Sequence, residues 1–127
     1  EESFNLVEEL SKNYKLSIIT NGLSDVQSNR IRKSSIAKYF DDIIISEEVS
    51  VSKPNSDIFK IALNNLNYND KSKVLMVGDS LTSDIQGGIN FGIDTCWLNT
   101  CKIENKTKFK PTYEISRLTE IIEILKK

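Results

Sequence analysis

Residues 73–84 read KVLMVGDSLTSD, and this stretch decides the fold class. Four apolar residues, Val74 to Val77, follow one another without polar alternation, as in a strand covered on both faces of a parallel sheet. Gly78 and Asp79 end the strand, and the spacing beyond them predicts a helix reaching about Gly92. A buried strand that leads directly into a helix is the building unit of an α/β fold.

The same alternation of strands and helices extends along the rest of the chain. Further strands are predicted at 16–19, 42–46, 95–98 and 113–115, the last a short edge strand. Further helices are predicted at 4–10, 24–34, 53–66 and 118–125. Polar loops are predicted at 47–52 and 99–111. This order predicts an α/β fold with a parallel sheet and helices on both faces.

Composition excludes several classes of function. The length of 127 residues suits one domain, and the net charge of −1 argues against a nucleic-acid polymer as partner. No apolar run approaches the roughly 20 residues of a membrane helix, so no membrane partner is expected. The absence of histidine excludes Ser-His-Asp and Cys-His catalysis and histidine-bound zinc. Two cysteines are too few for a disulfide scaffold, so reduced thiols and a cytoplasmic location are expected.

Polar residues follow three of the predicted strands, where open parallel sheets bind their ligands. Thr20-Asn21-Gly22 offers a hydroxyl, an amide and backbone N–H groups, which can bind phosphate oxygens. Lys53 offers a positive charge that could reach a phosphate. Asp79 and Asp84, with Ser80 beside them, are oxygen ligands of the kind that suits Mg²⁺.

Each of these features also has a plain structural explanation. Residues 20–22 can form an asparagine-glycine turn, and Lys53 can be an ordinary surface lysine. Asp79 or Ser80 can cap a helix whose first turn contains Asp84. The combination is more specific than its parts, because a hydroxyl, a cation and paired carboxylates at one rim suit phosphoryl transfer.

These motifs resemble those of the haloacid dehalogenase superfamily of phosphohydrolases. Its second motif, a Thr or Ser at a strand end, is matched by Ile18-Ile19-Thr20-Asn21-Gly22. Its third, a Lys, is matched by Val51-Ser52-Lys53-Pro54, and its fourth, an Asp pair after an apolar strand, by residues 77–84. The resemblance covers nearly the whole chain and implies a three-layer α/β/α fold around a Rossmann-type parallel sheet. Residues 79–88, 92–99 and 111–115 are similar to the noncanonical pyrimidine 5′-nucleotidase branch.

The resemblance implies Mg²⁺-dependent hydrolysis of a small phosphate ester, a nucleoside 5′-monophosphate, through an aspartyl-phosphate. Residues 20–22 would bind the transferring phosphoryl group, with Thr20 donating its hydroxyl. Lys53 would stabilise the charge on phosphate and nucleophile. Asp79 would bind Mg²⁺, Asp84 would support the metal or orient Lys53, and Ser80 would assist from the same loop.

One departure from the superfamily pattern is large. Its first motif, an Asp-x-Asp run that supplies the nucleophile and the general acid–base, occurs nowhere in the sequence, and its helical cap is missing too. The chain also begins at Glu1 without a methionine. We therefore expect residues 1–127 to be the C-terminal portion of a core domain, active in a longer parent and inactive alone.

The missing segment has a structural consequence. In the superfamily the first strand is central, lying between the strand that ends at Thr20 and the strand that ends before Asp79. Without it, each of those strands presents an unpaired edge. The edges could be covered by a segment of the parent protein, could close on each other, or could pair with a second copy of the chain.

A non-catalytic module is the alternative to an enzyme. Receiver-type regulatory domains also place acids, a Thr and a Lys at strand ends, and such a module would bind phosphate or a protein partner. Receiver domains place their acids near the start of the domain, whereas Asp79 and Asp84 follow the third strand here. An Asp-x-Asp run after an upstream strand of the parent would favour the enzyme.

Overall fold

The computed structural model describes residues 2–20, 33–34 and 37–126. Asn21 and Gly22, two of the predicted phosphate-binding residues, lie outside the described residues, as does most of the helix predicted over 24–34. Within the described ranges, no helix is long and apolar enough to cross a membrane.

Strands and helices alternate along the described residues, as the sequence predicts. The strands are β1 (Ser17–Thr20), β2 (Asp42–Ile45), β3 (Leu75–Gly78), β4 (Asp94–Leu98) and β5 (Tyr113–Ile115). The α-helices are α1 (Glu2–Ser11), α2 (Ser46–Val49), α3 (Ser56–Asn65), α4 (Gln86–Phe91) and α5 (Ile121–Leu125). A π-helical turn, Leu81–Ile85, leads into α4, and a 3₁₀ turn, Leu118–Glu120, leads into α5.

All strand pairs among the described residues are parallel, which confirms the predicted fold class. β1 pairs with β2, and β3, β4 and β5 form a second sheet in that order. The register of the second sheet places Gly78 opposite Trp97. β1 and β3 are not paired with each other in the described part of the chain, so closing of these two edges, one of the three outcomes left open above, is not observed.

Apolar side chains cover the sheets on both faces. On one face, Ile58 of α3 packs in a cluster that includes Ile44 of β2 and Met76 of β3, so α3 bridges the two sheets. On the other face, Ile121 of α5 packs with Val77 of β3 and with α1. Met76 and Val77 are neighbours in sequence and point to opposite faces, as the pleat of a strand requires. The result is the three-layer α/β/α arrangement that the sequence predicts.

The helix α4 lies very close to α3. A Cβ atom added to Gly87 would overlap the ring of Phe59 on α3, at 2.6 Å from its Cε2 atom. Only glycine permits this approach without displacing the ring. The close packing fixes the start of α4, and with it the turn that connects β3 to α4.

Local structure departs from the sequence prediction next to two strand ends. Residues 47–52, predicted as a loop, include most of α2, which ends where Ser50 adopts a left-handed φ of 61°. The helix predicted after Asp79 begins as a π-helical turn, in which the Ile85 N–H donates to the Ser80 carbonyl at 3.1 Å. One turn of apolar spacing cannot distinguish these helix types, because their periods differ by little over so few residues.

Candidate active site

The predicted site residues lie around the carboxyl ends of β1 and β3. Thr20 is the last residue of β1 and is half-buried. Asp79 follows β3 directly and is exposed, and Asp84 lies in the π-helical turn and is buried. Lys53 lies between α2 and α3, just before the cis Lys53–Pro54 peptide bond.

A buried ion pair stands at the centre of this rim. The Lys53 Nζ atom donates to Asp84 Oδ1 at 2.5 Å, and the two side chains are only 9% and 8% exposed. Charges buried this deeply persist only when they are paired, and removing one partner of such a pair typically costs about 3–5 kcal/mol. The structure therefore shows a direct contact between Lys53 and Asp84, whereas the sequence indicated only that both belong to strand-end motifs.

Lys53 also reaches the other sheet. Its Nζ atom donates to the backbone carbonyl of Ile19, in β1, at 3.0 Å. The ammonium group is thus fixed one residue away from Thr20. Because Asp84 follows β3, this one side chain connects the carboxyl ends of β1 and β3, which share no strand pairing.

Gly78 makes room for the Asp84 carboxylate. A Cβ atom added at Gly78 would overlap the carboxyl group of Asp84. Any larger residue at the end of β3 would push this carboxylate away from Lys53. The glycine of the Gly78-Asp79 pair is thus required for close approach of a side chain, which is one of the recurring uses of glycine.

The second oxygen of Asp84 is also occupied. Asp84 Oδ2 accepts from the Ser80 backbone N–H at 3.2 Å, and the Ser80 side chain in turn accepts from the Ser83 N–H at 3.2 Å. Ser80 is therefore the N-cap of the turn, as one of the structural explanations predicts. Both oxygens of the Asp84 carboxylate are therefore hydrogen-bonded within the chain, one to Lys53 and one to Ser80.

The exposed carboxylate of Asp79 is the group best placed to bind a cation. No cluster of three or more acidic or cysteine side chains with metal-binding geometry occurs within residues 2–20, 33–34 and 37–126. Mg²⁺ takes only one or two carboxylates from a protein and completes its shell with water and substrate phosphate oxygens. One exposed carboxylate at a strand end fits that requirement.

Trp97, which the sequence predicts only as part of the strand at 95–98, is a neighbour of this site. Its indole Nε1–H donates to the backbone carbonyl of Asp79 at 3.1 Å. Its side chain is 2% exposed, and its backbone lies opposite Gly78 in the sheet. The sequence signal was available: a tryptophan with an N–H group, on the strand next in order after the Gly78-Asp79 strand end.

Cys96 contributes no nucleophile at this rim. Both cysteines are free, and Cys96 is fully buried in β4. Burial, with a smaller effect from the negative charge of Glu120, raises the pKa of the Cys96 thiol to about 11. This thiol therefore stays protonated at neutral pH, whereas nucleophilic attack needs the thiolate.

Comparison with known proteins assigns the family. Residues 1–98 match the family model of haloacid dehalogenase-like hydrolases. The chain belongs to this haloacid dehalogenase-like hydrolase family. Membership confirms the family that the strand-end motifs predict and the Rossmann-type fold that goes with it.

Two relatives within the haloacid dehalogenase-like hydrolases are nucleotidases. The chain is 46% identical over 120 residues to the pyrimidine 5′-nucleotidase YjjG of Escherichia coli K12, covering 94% of this chain and 53% of YjjG. It is 38% identical over 118 residues to the pyrimidine 5′-nucleotidase PynA of Streptococcus pneumoniae, covering 93% of this chain and 50% of PynA. The chain thus spans about half the length of the curated relatives that it matches.

A solved structure shares the fold closely. The magnesium-bound crystal structure of YfnB from Bacillus subtilis superposes with a TM-score of 0.91 at 38% identity, covering 98% of this chain and 55% of YfnB. YfnB, which is about twice the length of this chain, therefore contains the arrangement of strands and helices found in the described residues.

Proposed function

We propose that residues 1–127 form the C-terminal portion of a haloacid dehalogenase-like core domain that hydrolyses phosphate monoesters with Mg²⁺. The observation that carries the proposal is the buried Lys53–Asp84 pair, which is fixed between the ends of β1 and β3. A pyrimidine nucleoside 5′-monophosphate is the proposed substrate, because YjjG and PynA, to which the chain is 46% and 38% identical, are pyrimidine 5′-nucleotidases.

Lys53 is proposed to neutralise the phosphoryl group. Its ammonium lies beside the carbonyl of Ile19 and is oriented by Asp84. A preorganised cation in a site that excludes water stabilises developing negative charge more strongly than a solvated one. The Thr20 hydroxyl, at the end of β1, is proposed to donate to the same phosphoryl oxygens, with Asn21 and Gly22 adding further donors.

Asp79 is proposed to hold Mg²⁺ at the end of β3. When bound, the metal ion supplies a positive charge that polarises the phosphoryl oxygens and orients the ester. Asp84 is proposed to act indirectly, because it accepts hydrogen bonds from the Ser80 backbone N–H and from the Lys53 ammonium and so positions both groups. Ser80 shapes the loop by capping the π-helical turn.

The nucleophile is proposed to come from outside these 127 residues. The proposed chemistry needs a carboxylate to form an aspartyl-phosphate, and the sequence contains no Asp-x-Asp run. β1 and β3 each have one edge without a described partner strand. A strand inserted between these edges would end beside Thr20 and Asp79, where a nucleophile is needed. We propose that the remainder of the parent protein supplies it, with a second copy of the chain as the other candidate.

The test compares the chain alone with a completed enzyme. Residues 1–127 are purified alone and also joined, in the order that YjjG has, to the part of YjjG that this chain does not match. Phosphate release is measured on pyrimidine and purine nucleoside monophosphates and on sugar phosphates, with and without EDTA. We expect the joined protein to hydrolyse pyrimidine nucleotides in an EDTA-sensitive reaction and the chain alone to be inactive.

A matched variant links any activity to the site. Lys53→Met in the joined protein is expected to lower kcat by about 10²–10³, the usual effect of losing one group that stabilises transition-state charge. Hydrolysis by the chain alone would contradict the division of the site between two segments. Phosphate binding by the joined protein without any turnover would instead favour the non-catalytic module.

A cytoplasmic location also stays a prediction. It rests on the two unpaired cysteines, which suit a reducing compartment.

A further inference from the structure

One peptide group at the rim is held at both ends by side chains from different elements. The carbonyl of Asp79 accepts from the Trp97 indole N–H at 3.1 Å. The N–H of Ser80, at the other end of the same peptide group, donates to Asp84 Oδ2 at 3.2 Å. We call this arrangement the Asp79–Ser80 clamp.

The clamp restricts the direction of the Asp79 side chain. A peptide group is planar, so hydrogen bonds at both its oxygen and its nitrogen fix the orientation of the whole plane. Because Gly78, on the other side of Asp79, is held in β3, the orientation of that plane limits ψ of Asp79 and with it the direction of its Cα–Cβ bond. Asp79 itself is exposed, and its carboxylate has no hydrogen bond among the contacts described above that could orient it.

The clamp is also continuous with the charged pair. Asp84 uses one oxygen for the Ser80 N–H and the other for Lys53, and Lys53 continues to the Ile19 carbonyl in β1. A single hydrogen-bonded path therefore leads from Trp97 in β4 to Ile19 in β1. It passes through the backbone that carries Asp79, so the positions of Asp79 and Lys53 are coupled.

We propose that Trp97 is a positioning residue for the proposed hydrolysis. Its indole N–H orients the Asp79–Ser80 peptide group and thereby aims the Asp79 carboxylate at the cation that the site takes. The inference rests on the proposed function for the role of Asp79, whereas the clamp itself is a property of the chain. A packing role alone would need only the apolar ring, and the N–H group would then be replaceable.

Trp97→Phe separates the two roles, because phenylalanine keeps an aromatic ring in the core but has no N–H donor. Leu98→Ala is the matched control. Leu98 neighbours Trp97 on β4 but packs in the cluster on the opposite face, so its loss weakens the sheet without touching the clamp. Any effect that follows from lower stability alone appears in both variants.

The first measurement uses the 127-residue chain and needs no catalysis. Trp97 is the one tryptophan in the sequence, so its indole N–H gives a single nuclear magnetic resonance signal, which we expect to be protected from exchange. We measure the ratio of the hydrogen-exchange rate of the Ser80 amide to that of the Met76 amide. In Trp97→Phe this ratio is expected to rise about three- to tenfold, which corresponds in free energy to one lost hydrogen bond. In Leu98→Ala this ratio should stay unchanged.

The second measurement uses the joined protein described above. In Trp97→Phe the Mg²⁺ concentration for half-maximal binding, measured by calorimetry, is expected to rise about three- to tenfold. The KM for the nucleotide at saturating Mg²⁺ should change less than twofold. Equal shifts in Trp97→Phe and Leu98→Ala, or an unchanged Ser80 exchange ratio, would overturn the proposal. Absence of turnover in the joined wild-type protein would contradict the proposed function instead, and the Ser80 ratio would still decide whether the clamp exists.

Discussion

Two strand ends in this chain are followed by a buried polar side chain, and the two side chains have different kinds of hydrogen-bond partner. After β4, Asn99 is 4% exposed, and its side chain bonds to both backbone groups of Ile103 and to the Glu114 carboxylate. After β3, Asp84 is 6% exposed, and its main partner is a charged side chain from a distant part of the sequence. Asn99 ties the loop after β4 to β5, whereas Asp84 holds a charge between the two sheets.

The difference shows how a structural polar group can be distinguished from a candidate catalytic one. An amide that bonds to a nearby loop backbone and to a side chain of the adjacent strand stabilises those elements, and neither of its donor hydrogens is left for a ligand. A buried ion pair is a weak source of stability, because desolvation of two charges offsets their attraction. Its presence at the rim is better explained by the positioned charge that it provides.

Disruption of the Lys53–Asp84 pair after β3 is expected to have the largest effect on stability. Asp84→Ala removes the carboxylate that is paired with the buried Lys53 ammonium, and we expect a loss of about 3–5 kcal/mol in the free energy of unfolding, measured by urea denaturation. The double variant Lys53→Met with Asp84→Leu should recover much of this loss, because it removes both charges. Losses that simply add in the double variant would show that the two side chains are not coupled.

Steric crowding of the same strand end is expected to have the next largest effect. Gly78→Ala forces the Asp84 carboxylate to move and should cost about 1–3 kcal/mol, with lower activity in the joined protein. Gly92→Ala is the control: its φ of 89° strains an alanine by about 1–2 kcal/mol, but its Cβ would meet no atom within 4 Å. Normal activity in both variants would mean that the position of Asp84 does not matter for catalysis.

Disruption of the strand end at Asn99 should lower the stability of the chain and leave the activity of the joined protein unchanged. Asn99→Ala removes the two bonds to the Ile103 backbone and the bond to Glu114 that are made by a residue only 4% exposed, and we expect a loss of about 1–3 kcal/mol in urea denaturation. Phosphate release by the joined protein should be unchanged at a temperature where the variant is folded. Asn90→Ala, at an exposed position with one long bond of 3.4 Å, should change neither quantity. A specific loss of activity in Asn99→Ala would remove the distinction between the two strand ends.

Cys96 adds a third case to this comparison, a buried titratable group in an apolar cluster. Because burial raises the pKa of its thiol from 9.0 to about 11, the folded chain keeps this proton at pH values where the unfolded chain loses it. The resulting stability is full below pH 9 and is lost as pH rises toward 11, at up to about 1.4 kcal/mol per pH unit.

The measurement is urea denaturation between pH 8 and pH 10 for three proteins. Cys96→Ala should show a shallower fall in stability with pH than the wild type, whatever its absolute stability. Cys101→Ser, at an exposed position, should have the wild-type slope. Parallel slopes for all three proteins would show that the Cys96 thiol titrates normally in the folded chain.

Much of the fold was predictable because strands and helices have different apolar periods. The isoleucine run of β2 and the apolar run of β3 are short and continuous, which is typical of strands covered on both faces. The short strand at 113–115 was also predicted and is β5. The one-turn helix α2 was missed, since four residues carry too little periodicity to distinguish a helix from a loop.

The site was predictable in part for a related reason. The carboxyl ends of parallel strands meet at one edge, so strand-end residues could be brought together on topology alone. The Lys53–Ile19 contact and the Trp97–Asp79 contact join residues 34 and 18 positions apart. No local pattern contains such contacts, because they depend on how the elements pack against each other.

The sequence by itself determined the alternation of elements, the parallel sheet, the family and the residue types at the strand ends. The elements and the sheet follow from local periodicity, the strand-end chemistry follows from the residue types, and the family follows from the resemblance of the motifs and the family match. Only the tertiary structure decided that Asp84 serves Lys53 with one oxygen and Ser80 with the other, that Gly78 makes room for it, and that Trp97 holds the backbone of Asp79. The physical reason is that hydrogen-bond partners are chosen by distance and direction in space, and these are set only when the helices pack on the sheets.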